Sequence, residues 1–286
     1  MNLGAHMSIA GGLEQAFGRA LAAGCGVLQI FTKSNSQWRA KPLTEEDVQL
    51  FARTRAESGI ARVVAHDCYL INLASPDPAL WRKSHDAFAE EVERCERLGL
   101  QGLVMHPGAH MGAGEEAGLA RIATALDEVH RRCPGYATRI LLETTAGQGT
   151  SLGWRFEHLA GILMRVRESE RIGVCLDTCH VFAAGYELRT EAGYRATMRE
   201  FDRVVGLGRI EAFHVNDSKR EFGSRVDRHE HVGRGKIGRA GFRWLMNDRR
   251  FRDVPMILET PKEDDMDRVN LAVLRGLRQR KSGAHR

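Results

Sequence analysis

The sequence predicts a single (β/α)8 TIM barrel, an α/β fold in which eight parallel strands alternate with eight helices. Two observations lead to this prediction. Short apolar runs alternate with amphipathic segments, and successive runs that end in a polar residue lie about 34 to 45 residues apart, which suits one βα unit each. The 286 residues are also enough for such a barrel, which uses about 250 residues as one domain. A doubly wound open sheet is the alternative architecture.

The strand candidates are short and nearly all apolar, which is typical of parallel strands covered on both faces. They lie at residues 2–5, 27–31, 63–65, 103–105, 140–142, 174–176, 212–215 and 256–258. The amphipathic helix candidates lie at residues 13–23, 44–58, 78–98, 115–133, 156–168, 190–205, 240–249 and 265–278. Thr44 precedes three acidic residues and predicts a helix start, while Gly59 and Gly99 stand where helices would end.

Composition indicates an ordinary globular protein, with 43% hydrophobic and 28% charged residues. We find no leader-like segment and no run of about 20 apolar residues, so we expect a cytoplasmic protein without a membrane span. The six scattered cysteines form no CxxC pair, which predicts reduced thiols. Cys175 and Cys179 flank Asp177, and we interpret them as packing residues.

The net charge of +5 is compatible with a polyanionic partner. The single domain is expected to span residues 1–286, with a basic tail from about residue 279.

Polar residues that can bind metals stand at or just past the ends of six strand candidates. These residues are His66, His106, Glu143, Asp177, His214 and Glu259. The C-terminal ends of the strands form the active site of a (β/α)8 barrel, so these side chains are expected to converge. Three further candidates lie in the following loops: His180, Asp227 and His229. Asp227 and His229 are two residues apart, which places them on one side of an extended segment.

Five histidines and four carboxylates are more ligands than one ion requires, so the pattern predicts two or three metals. Mixed nitrogen and oxygen ligands favour zinc or manganese over magnesium, and the residual positive charge suits phosphoester chemistry. Of the remaining histidines, four are expected at the surface: His85, His130, His158 and His285. Three near the predicted rim are candidates for supporting or phosphate contacts: His6, His110 and His231.

Four long motifs resemble those of the endonuclease IV family, the metal-dependent apurinic/apyrimidinic endonucleases of base excision repair. They are HDCYLINLASP at 66–76, ETTAGQGT at 143–150, DTCHVFAAGYELR at 177–189 and HVNDSKREFGSRVDRHEHVGRGKIG at 214–238. The resemblance extends from LGAHMSIAGG near the N-terminus to LETP at Glu259. Long motifs in the same order are far more specific than any single spacing.

The resemblance implies three Zn²⁺ ions, with Mn²⁺ possible at one or more sites. One ion would be held by His66, His106 and Glu143, the second by Glu143, Asp177, His214 and Glu259, and the third by His180, Asp227 and His229. Glu143 and Glu259 are the catalytic candidates, as ligands that position the attacking water. The implied reaction cleaves the phosphodiester 5′ to an abasic site in duplex DNA, leaving a 3′-hydroxyl and a 5′-deoxyribose phosphate. The enzyme would also remove 3′ blocking groups and act as a monomer associated with the nucleoid during repair.

DNA recognition is expected in the loops around the metal cluster, since an abasic nucleotide must leave the helix to reach it. Tyr69 and Leu70 are the wedge candidates, and the resemblance places the loop at 32–38, which contains Ser36, beside them. Candidate phosphate contacts are Lys33, Arg39, Arg225 and Arg228. Three positions depart from common family residues: Ser36 replaces a long basic residue, Glu187 an aspartate and Arg234 a frequently acidic residue.

Two other functions are compatible with parts of this pattern. A sugar isomerase or epimerase of the xylose isomerase type would share the barrel and its ligands at strand ends. Such enzymes commonly use one or two ions, whereas His180, Asp227 and His229 predict a third site. A DNA-damage binder held by structural metals is the non-enzymatic alternative, and it would not need a bridging carboxylate.

Overall fold

Eight parallel strands form a closed barrel in the computed structural model, which describes residues 2–263 and 265–278. The strands are β1 (Leu3–His6), β2 (Val27–Phe31), β3 (Arg62–His66), β4 (Gly102–Met105), β5 (Arg139–Glu143), β6 (Ile172–Asp177), β7 (Ile210–His214) and β10 (Met256–Leu258). Their order around the ring is β1-β10-β7-β6-β5-β4-β3-β2. Every predicted strand is found within two residues of its expected bounds, and the closed ring excludes the open sheet. The basic tail and His285 lie outside the described residues.

Helices follow the strands and form the outer layer. They are α1 (Gln15–Ala23), α2 (Glu45–Ser58), α3 (Pro78–Arg97), α4 (Glu115–Arg132), α5 (Phe156–Arg165), α6 (Thr178–Ala184), α7 (Glu191–Val204), α8 (Gly238–Asn247) and α9 (Met266–Leu277). Thr44 caps α2 as predicted, because its side chain accepts from Asp47 N while Asp47 accepts from Thr44 N. Gly59 ends α2 with φ of 70°, and Gly99 follows α3 with φ of 65°.

Three elements at the carboxyl end of the barrel were not predicted. The helix α6 begins directly after β6, with Asp177 as its N-cap accepting a hydrogen bond from His180 N at 2.8 Å. The strands β8 (Asp217–Ser218) and β9 (His229–Glu230) pair in antiparallel register outside the barrel. A helix of seven residues and strands of two residues are too short to show a hydrophobic period, so local patterning misses them.

The barrel interior explains where the polar residues stand. Seven apolar side chains form two buried clusters separate from the main core: Val104, Leu141, Cys175 and Ala212, and Val27, Val64 and Ile257. Six of them lie two residues before a predicted metal ligand, and Val27 lies two residues before Gln29. Since side chains alternate along a strand, the residue two positions later faces the same interior. The next layer of the barrel is therefore polar.

Burial departs from expectation at two histidines. His130 on α4 and His158 on α5 were predicted at the surface, but both are 3% exposed. Both belong to the buried faces of their helices. The helical pattern of the sequence did not show that these faces include the two histidines. The six cysteines are free and buried, as expected of packing thiols. Among the described residues, no helix combines the length and apolar character that crossing a membrane requires.

Candidate metal centre

The strand ends bring the nine predicted ligands together at one mouth of the barrel. Four of them are the last residues of their strands: His66, Glu143, Asp177 and His214. His106 and Glu259 directly follow β4 and β10. The helix α6 adds His180, the loop before β9 adds Asp227, and β9 begins with His229. Neighbouring parallel strands end at the same level of the barrel, so residues far apart in sequence meet there.

The ligand atoms fall into three groups, each within 4.8 Å of one another, that match the predicted ligand sets. The groups are His66, His106 and Glu143; Glu143, Asp177, His214 and Glu259; and His180, Asp227 and His229. A further group combines Asp177, Cys179 and His229. Burial raises the pKa of Cys179 to about 12, and its thiol donates to Arg228 O at 3.7 Å, which suits the packing role expected of this residue.

Glu143 lies at the centre of the first two groups. Its Oε2 is 3.0 Å from His66 Nε2 and 3.2 Å from His106 Nε2. Its Oε1 is 2.9 Å from His214 Nδ1, which is itself 3.1 Å from Glu259 Oε2. These spacings are near the roughly 3.3 Å that separates two ligands on one tetrahedral ion with bonds of about 2.0 Å. The geometry allows Glu143 to bridge two ions.

The third group is nearer to solvent. Asp227 Oδ2 lies 3.1 Å from His180 Nε2, and Asp227 Oδ1 lies 3.3 Å from His229 Nε2. His180 is 2% exposed, whereas the Asp227 side chain is 39% exposed. This group therefore faces the opening, above a cavity of about 390 Å³.

Hydrogen bonds to the outer nitrogens assign the histidine tautomers. His66 Nδ1 donates to Asp67 O at 2.9 Å, and His180 Nδ1 donates to Thr144 O at 2.8 Å. His229 Nδ1 donates to Glu259 O at 3.1 Å, and His214 Nε2 donates to Gln29 Oε1 at 2.8 Å. Each ring therefore turns its other nitrogen, with a lone pair, toward a carboxylate oxygen. Two acceptors about 3 Å apart need a cation between them, and divalent metal ions fit that requirement.

The pKa shifts of the ligand side chains also indicate that the site attracts positive charge. Burial opposes the imidazolium of His66, but the hydrogen bond to Glu143 and its charge raise the His66 pKa to about 9. Burial likewise opposes ionisation of Glu143, yet His214 and His106 hold its pKa well below the usual value. Carboxylates that stay ionised while nearby nitrogens attract protons create a site that a metal ion can occupy by displacing those protons.

Three polar residues support this site; His6 was a candidate for such a supporting contact, whereas Gln29 and Asn216 were missed by the sequence reasoning. Gln29 Nε2 donates to Glu259 Oε1 at 2.6 Å, in addition to the contact of its Oε1 with His214. His6 Nδ1 lies 3.4 Å from the same Glu259 oxygen. Asn216 donates to Asp177 Oδ2 at 2.7 Å and accepts from Glu259 N at 2.7 Å. Gln29 was detectable, because it is the one polar residue within the apolar run VLQIF.

The predicted wedge residues stand at the mouth. The side chains of Tyr69 and Leu70 are exposed, at 59% and 36%. The Tyr69 ring packs edge-on against Phe31, with centroids 5.5 Å apart. Ser36 and Arg228 are also exposed, and Arg228 lines the cavity above the third group. The structure thus gathers all four candidate DNA contacts on the face that carries the ligand groups.

The structure excludes a phosphate contact at two of the candidate basic or rim residues. Lys33 was proposed as a phosphate contact, but it is 5% exposed and its Nζ points inward to the carbonyls of Gln37 and Trp38. His231 is 3% exposed and bonds Asn270, so it cannot meet a phosphate. Arg39 and Arg225 remain exposed, and the Arg225 guanidinium stacks on the Trp154 ring at 3.3 Å.

Glu187 and Arg234 differ from the residues common in the family, and His110 is the remaining rim histidine. Glu187 and His110 have local partners, whereas Arg234 is exposed. Glu187 forms an ion pair with Arg189 at 2.6 Å. Arg234 is exposed. His110 Nδ1 accepts a hydrogen bond from Gly114 N at 3.1 Å, which ties down its own loop.

Comparisons with known proteins agree with this geometry. The family described as xylose isomerase-like TIM barrel matches residues 17–279. A Chloroflexus aurantiacus protein named probable endonuclease 4 is 55% identical over 278 residues, covering 96% of this chain and 98% of that protein. A protein of the same name from Geobacter sulfurreducens is 53% identical over 286 residues, covering 99% and 97%.

Solved structures show the same relationship. The crystal structure of endonuclease IV from Thermus thermophilus superposes with a TM-score of 0.86 at 37% identity, covering 97% of this chain and 98% of that one. A D-tagatose 3-epimerase-like protein superposes with a TM-score of 0.74 at 17% identity, which shows a common fold alone. The chain therefore belongs to the endonuclease IV family of hydrolytic deoxyribonucleases, within the xylose isomerase-like TIM barrels.

Proposed function

We propose that this protein hydrolyses the phosphodiester 5′ to an abasic site in double-stranded DNA, leaving a 3′-hydroxyl and a 5′-deoxyribose phosphate. It also removes groups that block 3′ ends. The enzyme acts as a monomer, and its partner is damaged duplex DNA. One observation carries the proposal: three ligand groups converge at one mouth, and the third group, His180, Asp227 and His229, lies nearest to solvent.

The three groups would hold three Zn²⁺ ions, with Mn²⁺ possible at one or more of them. Their nitrogen and oxygen donors suit either metal. When bound, such ions lower the pKa of water toward about 7 and stabilise charge on phosphoryl oxygens. Ions held by the first two groups would activate water, and an ion held by His180, Asp227 and His229 would supply the positive charge that stabilises a departing 3′ oxygen.

The chain itself supplies orientation and proton control. Both oxygens of Glu143 are engaged by histidine nitrogens, so its carboxylate is held in one plane. Gln29 fixes one oxygen of Glu259 at 2.6 Å and leaves the other beside His214 at 3.1 Å. Glu259 therefore has a fixed acceptor oxygen that can position an attacking water. No nucleophilic side chain is required.

The rim supplies recognition of the damaged duplex. Tyr69 and Leu70 can enter the helix stack at the gap left by a missing base, where unstacking is least costly. Arg228 is exposed beside Asp227 and offers its charge to a phosphate. The cavity of about 390 Å³ between them receives the extruded abasic nucleotide.

A nicking assay tests the function. Purified protein is expected to cut a duplex that carries one tetrahydrofuran abasic analogue, without added magnesium, and to leave the intact duplex uncut. The product should carry a 3′-hydroxyl that a DNA polymerase extends, and prolonged chelation should abolish cutting. Elemental analysis beside the assay reports the bound metal. Protein that holds about three ions and does not nick this substrate would refute the proposal.

A substitution separates chemistry from binding. Glu259→Gln keeps the size of the side chain but removes the charge, so cleavage should fall far more than affinity for abasic DNA. Glu263→Gln is the matched control, because that carboxylate is exposed and belongs to none of the three groups. Equal losses of cleavage and affinity would mean that Glu259 mainly supports folding.

A further inference from the structure

The helix α3 sends two buried side chains beneath the loops that face DNA in the proposed function. These loops are residues 32–38, which carry Ser36, and residues 67–71, which carry Tyr69 and Leu70. The two side chains are Glu91, which is 0% exposed, and Arg94, which is 8% exposed. Buried charged groups are costly unless they are paired and hydrogen-bonded, so their partners indicate what they organise.

Lys33 is the partner within the first loop. Its Nζ donates to Gln37 O at 3.2 Å and to Trp38 O at 3.1 Å. The same nitrogen lies 3.5 Å from Glu91 Oε1. An ammonium group has three donors, and these three contacts use them all. Lys33 therefore folds residues 32–38 back on themselves and ties them to α3.

Glu91 reaches the second loop as well. Its Oε1 accepts a hydrogen bond from Cys68 N at 3.0 Å, while its Oε2 accepts from Thr32 Oγ1 at 3.5 Å. One carboxylate thus holds the start of the first loop, the ammonium of Lys33 and the backbone just before Tyr69. In a low-dielectric setting such charge-assisted contacts are stronger than neutral ones.

Direct contacts between the loops complete the connection. The Cys68 thiol donates to Asn35 O at 3.0 Å, and Tyr69 N donates to the same oxygen at 3.3 Å. Arg94 fastens the start of the first loop and the chain just beyond its end, with Nε donating to Thr32 O at 3.2 Å and Nη1 to Lys41 O at 2.9 Å. The exposed tips of both loops therefore stand on one buried polar network.

We propose that Lys33 and Glu91 are positioning residues that make loops 32–38 and 67–71 a single DNA-binding unit. The inference rests on the proposed function, since it assigns that unit to abasic DNA. A side chain that enters a base stack must be held in a fixed position while the bases are unstacked. Surface loops are otherwise the mobile part of a barrel. Fixing both loops before binding removes an ordering cost that would otherwise weaken affinity.

The test compares Lys33→Met, Glu91→Gln and the double variant with the matched control Lys41→Met, whose lysine is exposed. Amide hydrogen exchange is measured without DNA. Each single variant should raise exchange in both loops, by about tenfold for loss of a preorganised state, while the barrel strands remain protected. Exchange that rises only in loop 32–38 of Lys33→Met, or in only one of the two loops of Glu91→Gln, would overturn the coupling.

Kinetics on the tetrahydrofuran duplex give the second readout. KM should rise about tenfold, as expected when binding must order the loops, while kcat stays within about twofold and the metal content is unchanged. A general loss of folding would instead lower kcat, metal content and melting temperature together, which would refute a positioning role. The double variant removes the ammonium group of Lys33 and the carboxylate of Glu91 together, so neither is left buried without the other; it should keep the barrel folded and still show the raised KM.

The two proposals fail separately. If the wild-type protein did not nick the abasic duplex, the proposed function would be wrong. The exchange measurement needs no DNA, so it would still decide whether Lys33 and Glu91 couple the two loops. An unchanged KM in variants whose loops both exchange faster would refute the assignment of this unit to DNA.

Discussion

Asp217 is the residue whose replacement the structure predicts most sharply. It is 0% exposed, and its carboxylate accepts from the backbone N–H groups of Ser218 and Ile237 on Oδ1, at 2.8 and 2.9 Å. Its Oδ2 accepts from Gly233 N at 2.9 Å and Gly235 N at 3.0 Å. Gly235 must lack a side chain, because a Cβ there would lie 2.4 Å from Ser218 O. Asp217 therefore holds the segment that follows His229.

Asp217→Asn has no harmless orientation. Whichever oxygen becomes an NH₂ group, two backbone N–H donors face a donor and lose their acceptor. Hydrogen bonds to charged groups contribute about 1.5–3 kcal/mol each, so the loss is about 3–6 kcal/mol. Removing a buried charge offsets part of it, which leaves a destabilisation of about 3 kcal/mol. With 286 residues and about 2.1 cal/mol/K of unfolding entropy per residue, the melting temperature falls by about 5 °C.

Thermal unfolding followed by circular dichroism in the presence of a chelator measures this change without stabilisation by bound metal. Asp253→Asn is the control, because its side chain is 81% exposed and should change the melting temperature by less than about 1 °C. The affinity for metal should also fall in Asp217→Asn, since His229 loses its anchored neighbour. A melting temperature equal to wild type would show that these N–H groups find other acceptors, and would refute the reasoning.

Three further predictions follow from individual contacts. Gln29→Leu removes the acceptor of the His214 N–H group, so metal affinity or kcat should fall about 10- to 100-fold. The control variant Gln49→Leu, at an exposed position, should leave both quantities unchanged. Equal behaviour of the two variants would contradict the role of Gln29. Burial, reinforced by the charge of Arg171, lowers the pKa of His130, so the unfolded chain, with a histidine pKa of about 6.5, takes up the proton first. The free energy of unfolding should therefore fall as the pH drops below about 6.5, and this fall should be smaller in His130→Phe by urea unfolding at several pH values; parallel pH curves would disprove it. Arg228→Gln should make the slope of log Kd for abasic DNA against log salt shallower by about one. Arg167→Gln should not change it, because Arg167 lies just past the C-terminal end of α5, away from the ligand groups.

Much of the candidate site was predictable because it depends on strand ends. A polar residue after a short apolar run is visible in the sequence, and parallel strands in a barrel end at one mouth. His66, Glu143 and His214 needed no further information to be placed together. That these residues bind metal stays a prediction, which the elemental analysis and the Glu259→Gln comparison test.

Other residues could not be placed because their roles depend on distant partners. Lys33 looks like a phosphate contact in a basic loop, but Glu91, 58 residues further along the chain, draws its ammonium group inward. His130 looks exposed on an amphipathic helix whose buried face includes it. The supporting role of Gln29 depends on its hydrogen bond to Glu259, which lies 230 residues further along the chain.

The sequence by itself indicated the barrel, the order of its eight strands and of the eight longer helices, and the nine candidate ligands, because periodicity, helix caps and polar strand ends are local properties of the chain. Only the tertiary structure decided the tautomers of His66, His180, His214 and His229, the burial of Lys33 and the attachment of loops 32–38 and 67–71 to α3. These depend on which donor meets which acceptor across the barrel. Such pairings are set by the packing of segments far apart in sequence, and no local pattern encodes them.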